Sequence, residues 1–154
     1  MNRLLQDKVF ISTRPENKSE ELAGLFANAG ATLLEMPLIT IQGATLSESE
    51  KDYFNRLQDF QWLIFTSPNG IRYFFENLTE IQGNLKLPES IQIAVIGNKT
   101  EKALNEFGYL AAFKNPGSTG EDFADAFIQK ISSDGNPNIL LSLGNIARTV
   151  IQDR

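Results

Sequence analysis

Trp62-Leu-Ile-Phe65 runs into Thr66-Ser67-Pro68-Asn69-Gly70, and Ile71, Phe74, Phe75 and Leu78 then recur at helical spacing. Four consecutive apolar residues, two of them β-favouring aromatics, read as a strand buried on both faces. Ser67 is a natural helix N-cap, and Pro68 suits the first helical position because its missing N–H would have no partner there. The stretch therefore reads strand, tight polar loop, helix.

The same construction recurs downstream. Ile93 to Ile96 is a strand, Gly97-Asn98-Lys99-Thr100 a loop, and Ala103, Leu104 and Phe107 the apolar side of a helix stopped by Gly108. Leu110 to Phe113 is a short strand. In the loop 115–120, Thr119 and Asp122 resemble a capping box, with Asp where Glu or Gln is usual. Phe123, Ala126 and Phe127 give the next helix a buried face. Ile139 to Leu143 is the last strand, and Gly144-Asn145 opens the last helix.

Upstream, Val9 to Ser12 is a strand that Arg14-Pro15 breaks. Leu22, Leu25, Phe26 and Ala29 mark a helix stopped by Gly30, and Thr32 to Glu35 is a second strand. Leu38 to Ile41 is expected to continue extended beyond Pro37. Gly43 to Ser49 reads as a polar connector, with a short helix at Tyr53, Phe54 and Leu57. Strands alternating with helices predict an α/β fold: a parallel sheet flanked by helices, flavodoxin-like or Rossmann-like.

Composition narrows the chemistry. Cys and His are both absent from the 154 residues. No disulfide, no zinc site with Cys or His ligands and no His-dependent triad can form from this chain. With 14 Lys and Arg against 19 Asp and Glu, the net charge is −5. That balance argues against a broad nucleic-acid surface. No apolar run approaches the roughly 18 residues of a membrane span, and the first residues lack a signal-peptide core. A cytoplasmic protein with no membrane partner is expected.

Loops that follow parallel strands gather at one edge of the sheet, where open α/β sheets bind ligands. Helix starts there direct unpaired N–H groups and partial positive charge at an anion. On this reasoning Thr66, Ser67, Asn69, Gly97, Asn98, Thr100, Thr119, Gly144 and Asn145 are candidate ligand contacts. Ser67, Asn98 and Thr119 have an ordinary reading as plain caps. Arg14, after Thr13, could grip a carboxylate through its planar fork, and Arg148 lies a turn into the last helix; both could equally be solvated surface arginines. No carboxylate pair has a catalytic spacing. G-x-G-x-x-G and G-x-x-x-x-G-K-[ST] are missing, so no nucleotide cofactor is implied.

Taken in order, STRPE at 12–16, EELAGLFANAGA at 20–31, EMPLITI at 35–41, DFQWLIFTSPNGIRYFF at 59–75, IAVIGNKTEKALNEFG at 93–108, STGEDFADAF at 118–127 and ILLSLGNIART at 139–149 resemble the uroporphyrinogen-III synthase family. FTSPNG followed by VIGNKT is the most specific part. The resemblance implies a hydro-lyase of tetrapyrrole biosynthesis. Such enzymes close hydroxymethylbilane to uroporphyrinogen III, inverting the last pyrrole ring and losing water, without metal or organic cofactor. It implies two α/β domains joined by a two-strand linker, with the substrate between them. Residues 1–35 would open a discontinuous first domain, 36–41 form the outgoing linker strand, and 42–154 form most of the second domain.

The returning linker, most of the first domain and a tyrosine considered as a candidate acid in the family lie outside these residues. A truncated chain, inactive alone and monomeric when complete, is therefore expected. Thr13, Arg14, Arg148 and the loop residues above are the candidate contacts for this substrate, and the catalytic proton donor is unnamed. The alternative is a non-catalytic α/β module that binds an anionic metabolite.

Overall fold

The computed structural model describes residues 4–16, 18–115, 119–132, 135–144 and 151. The chain divides into two compact units, residues 1–44 and 45–154.

In the first unit, β1 (Val9–Ser12) and β2 (Thr32–Glu35) pair in parallel, Val9 opposite Thr32 and Ser12 opposite Glu35. α1 (Glu20–Asn28) connects them. It packs Phe26 against Phe10, with ring centroids 4.5 Å apart. Val9 and Ile11 alternate with Phe10 along β1 and stay exposed. Leu38 to Ile41 forms no ladder among the described residues. The backbone follows the end of β1 only briefly, through Met36 N–H to Ser12 O (2.9 Å) and Leu38 N–H to Thr13 O (3.4 Å).

The second unit carries a parallel sheet of β3 (Trp62–Phe65), β4 (Gln92–Val95), β5 (Phe113–Lys114) and β6 (Ile139–Ser142), in the order β5-β4-β3-β6. All described pairings are parallel. The helices are α2 (Glu48–Asn55), α3 (Pro68–Gln82), α4 (Asn98–Glu106) and α5 (Gly120–Ile131). Strand periodicity explains why β3 is buried throughout. Leu63 and Phe65 face one apolar cluster with Ile71, Phe75 and Leu78 of α3 and Leu104 of α4. Trp62 and Ile64 face a second cluster with Phe123 and Phe127 of α5. An element sandwiched between two helical layers has no polar side, hence the unbroken apolar run.

The first layer is aromatic. Phe75, fully buried, stacks on Phe107 at 4.5 Å and on Tyr109 at 5.4 Å. The Tyr109 hydroxyl accepts from Leu87 N–H (2.9 Å) and donates to Leu85 O (2.8 Å), which holds the loop after α3. α2 begins earlier than the sequence reading placed it. Ser47 and Glu50 form a capping box, so the end of the polar connector is itself a helix start.

Candidate functional site at the carboxyl edge of the sheet

Because the four strands of the second unit run in parallel, their carboxyl ends share one edge. Backbone bonds join these ends laterally. Ile96 N–H donates to Phe65 O (3.1 Å), and Asn115 N–H donates to Val95 O (3.2 Å). The chain builds outward from β3 through β4 to β5, then returns to β6 on the opposite side of β3. The order therefore reverses between β3 and β6. Open α/β sheets commonly bind ligands at the strand ends beside such a reversal.

The loop after β3 lies close to the end of β6. A methyl group added to Gly70 would meet Ser67 Oγ at 3.4 Å, and Ser142 O and Oγ at 3.6 and 3.7 Å. The first turn of α3 thus lies against the end of β6. Thr66, Ser67 and Asn69 are half-buried there, and Gly144 is exposed just beyond β6. Ser142, half-buried and in register with Phe65, joins them. The sequence reading placed it inside an apolar strand running to Leu143; a serine after Ile139-Leu-Leu was the available signal.

The helix starts are not equivalent. Ser67 Oγ accepts Gly70 N–H (3.1 Å), so the hydroxyl caps α3. Thr119 Oγ1 accepts Asp122 N–H (3.1 Å), and the Asp122 carboxylate accepts Thr119 N–H (3.2 Å). That capping box occupies donors of α5 with the chain's own groups. α4 differs: Gly97 at its N-cap has φ 79° and ψ 160°, and no side chain caps the first turn. Its first N–H groups therefore have no side-chain acceptor at the cap, and the acidic residue of that turn, Glu101, pairs with Lys114 at 2.7 Å.

Asn98 is therefore the first helical residue rather than a cap, and it is exposed with Lys99. Thr100 is 3% exposed, so its side chain is interior and only its backbone belongs to the open turn. Asn115, also missed, anchors the start of α5: it is buried, and its Nδ2 donates to Thr119 O (2.8 Å). The expected contacts Asn145 and Arg148 lie outside the described residues.

In the first unit, Thr13 and Arg14 follow β1 and are exposed. The Arg14 guanidinium makes no ion pair among the described residues; the ion pairs found there are Lys51–Glu48, Arg56–Asp52 and Lys114–Glu101. Among the described residues no cluster of three Asp, Glu, His or Cys could hold a metal. A cavity beside β3 is lined by apolar side chains, among them Ile64, Phe127, Ile131, Ile139 and Leu141. No described helix is long and apolar enough to cross a membrane.

Comparison with known proteins adds independent information. The family model described as Uroporphyrinogen-III synthase HemD matches residues 20–154. A porphyrin biosynthesis protein HemD of Ruminiclostridium josui is 26% identical over 96% of this chain and 29% of its own length. A uroporphyrinogen-III synthase of Synechococcus elongatus is 27% identical over 81% of this chain and 47% of its own. A mutant uroporphyrinogen III synthase structure from Thermus thermophilus superposes with a TM-score of 0.63 at 17% identity, covering 96% of this chain and 56% of that one. That last likeness shows the fold alone. The chain spans less than half the length of both curated relatives.

Proposed function

Because the chain belongs to the uroporphyrinogen-III synthase family, we propose that it supplies substrate-holding loops of an enzyme that cyclises hydroxymethylbilane to uroporphyrinogen III. The reaction would invert the last pyrrole ring and release water, in tetrapyrrole biosynthesis. In this reading residues 1–35 open a discontinuous first domain, 36–41 are a linker strand and 42–154 belong to the second domain.

The observation that carries the proposal is the uncapped start of α4, in the same row of strand ends as the half-buried Thr66-Ser67 loop. The substrate is a flexible chain bearing many carboxylates. Helix-terminal N–H groups bind carboxylates without needing a net positive surface, which suits a chain of net charge −5. Thr66, Ser67, Asn69, Gly97, Asn98, Gly144 and the backbone of Thr100 would hold carboxylates at the sheet edge. Thr13 and Arg14 would contribute from the first unit through the forked guanidinium. Thr119, Asn145 and Arg148 complete the proposed set. Holding the chain so that its two ends meet supplies rate by proximity, with no metal or organic cofactor. The protein would act in the cytoplasm on this small molecule as a monomer, without nucleic acid or membrane.

The test is chromatographic separation of the uroporphyrinogen isomers. Expressed from its complete reading frame, with any residues beyond these 154, the protein is expected to give an excess of type III. The 154 residues alone are expected to leave the bilane to close to the unrearranged isomer. Only unrearranged product from the complete protein, with tight binding of the bilane, would favour the anion-binding module instead.

A further inference from the structure

Two buried hydroxyls in the first unit have no part in the site so far. Ser12 ends β1 at 6% exposure, and Ser19 stands at the N-cap of α1 at 1%. Their Oγ atoms lie 2.7 Å apart. Ser is among the best N-cap residues, since its oxygen can accept an orphan N–H of the first turn. Ser19 makes no such bond. Its hydroxyl is turned instead onto the strand end, seven residues back in the chain.

The backbones of both residues are already fixed. Ser12 O accepts Met36 N–H (2.9 Å), and Ser19 O accepts Ala23 N–H (2.7 Å). The hydroxyl pair therefore adds nothing to either element on its own; it joins one to the other. Between them lie Thr13 and Arg14, both exposed. An exposed arginine samples many rotamers, and a loop that also drifts would blunt its grip on a planar anion.

We propose that the Ser12–Ser19 hydroxyl pair is a clasp that fixes the loop after β1 and so presents Arg14 to a carboxylate ligand. Ser12 and Ser19 are positioning residues, and the proposal rests on the polycarboxylate reading above. Removing one hydroxyl leaves the other buried without its partner, which costs more than the bond itself is worth.

The experiment compares the protein with its Ser19→Ala, Arg14→Ala and doubly substituted Ser19→Ala/Arg14→Ala forms. Amide hydrogen exchange at Lys18, Met36 and Leu38, whose N–H groups donate to Pro15 O (3.2 Å), Ser12 O (2.9 Å) and Thr13 O (3.4 Å), reads the loop and its anchor directly, without ligand. Titration with uroporphyrin, a stable polycarboxylate, reads the anion grip. Ser19→Ala is expected to speed exchange at those amides about tenfold, the size of one hydrogen bond. It is also expected to weaken uroporphyrin binding severalfold, but to add nothing once Arg14 is gone, because both changes remove the same contact. Unchanged exchange overturns the clasp. Binding losses that add in the double variant overturn its link to Arg14. Absence of binding to the unsubstituted protein counts against the polycarboxylate reading, and exchange still decides the clasp. If Ser19→Ala folds poorly, Ser12→Ala/Ser19→Ala leaves no orphaned hydroxyl and is read by the same two measurements.

Discussion

Replacing Gly97 with alanine tests the backbone conformation that leaves α4 uncapped. Gly97 has φ 79° and ψ 160°, a region essentially reserved for glycine, where another residue costs about 1–3 kcal/mol. No atom lies within 4 Å of the added methyl group, so no steric clash enlarges that cost. Alanine also narrows the unfolded ensemble, which returns about 0.4–1 kcal/mol. At mid-range, about 2 kcal/mol of strain less about 0.7 returned, the net loss is about 1.3 kcal/mol. Trp62 is the only tryptophan and is 1% exposed in the core of the second unit, so its fluorescence reports urea unfolding there. With a slope of about 2 kcal/mol per molar urea, the midpoint should fall by about 0.5–1 M. Asparagine separates this argument from a general intolerance of side chains. Gly83, with φ 72° and ψ 8°, is left-handed helical and should accept Asn at small cost. Gly97→Asn should cost as much as Gly97→Ala. An unchanged midpoint for Gly97→Ala, or full tolerance of Asn at 97, would refute the reasoning.

Phe75→Ala should cost about 3–5 kcal/mol, read as a lowered unfolding midpoint, because the fully buried ring stacks on Phe107 and Tyr109. Acid should loosen the start of α2. The Ser47 hydroxyl (2.6 Å) and amide (2.8 Å) bond to the Glu50 carboxylate and hold its pKa below the ordinary value. A lowered folded pKa means the cap contributes fully above the unfolded value of about 4.3 and is lost as pH falls through the folded one. Amide exchange in the first turn of α2 should rise over that window, and Glu50→Gln should remove the pH dependence.

The sheet of the second unit was legible because each of its elements is locally consistent. Trp62 to Phe65 is apolar on both sides and is followed by a good cap and a proline, so local preference and tertiary burial agree. The start of α2 was missed because Ser47, Ser49 and the acidic residues look like connector, although Ser47-x-x-Glu50 spells a capping box. The candidate site was legible only in outline. Strand–loop–helix turns locate the edge, but they do not tell which helix start is already capped. Thr119 and Asn98 looked alike in sequence; in the fold one closes its own helix and the other stands beyond a glycine cap. Asn115 and Ser142 depend on contacts between loops and strand ends, which residue type does not announce.

The strand order also sets a timetable for synthesis. The amino-terminal ends of β3 and β6 are joined by Asn138, whose N–H donates to Gln61 Oε1 at 2.8 Å across 77 residues of chain. β4 and β5 can dock on one side of β3 while translation continues, but its other side must wait for β6. At roughly 5–20 residues per second, that wait is about 4–15 s. Through that interval a nascent chain carries Trp62-Leu-Ile-Phe65 with one edge of backbone groups unpaired, the kind of segment that recruits chaperones or a second nascent chain. Ribosome density and crowding at expression would therefore influence the yield of folded protein.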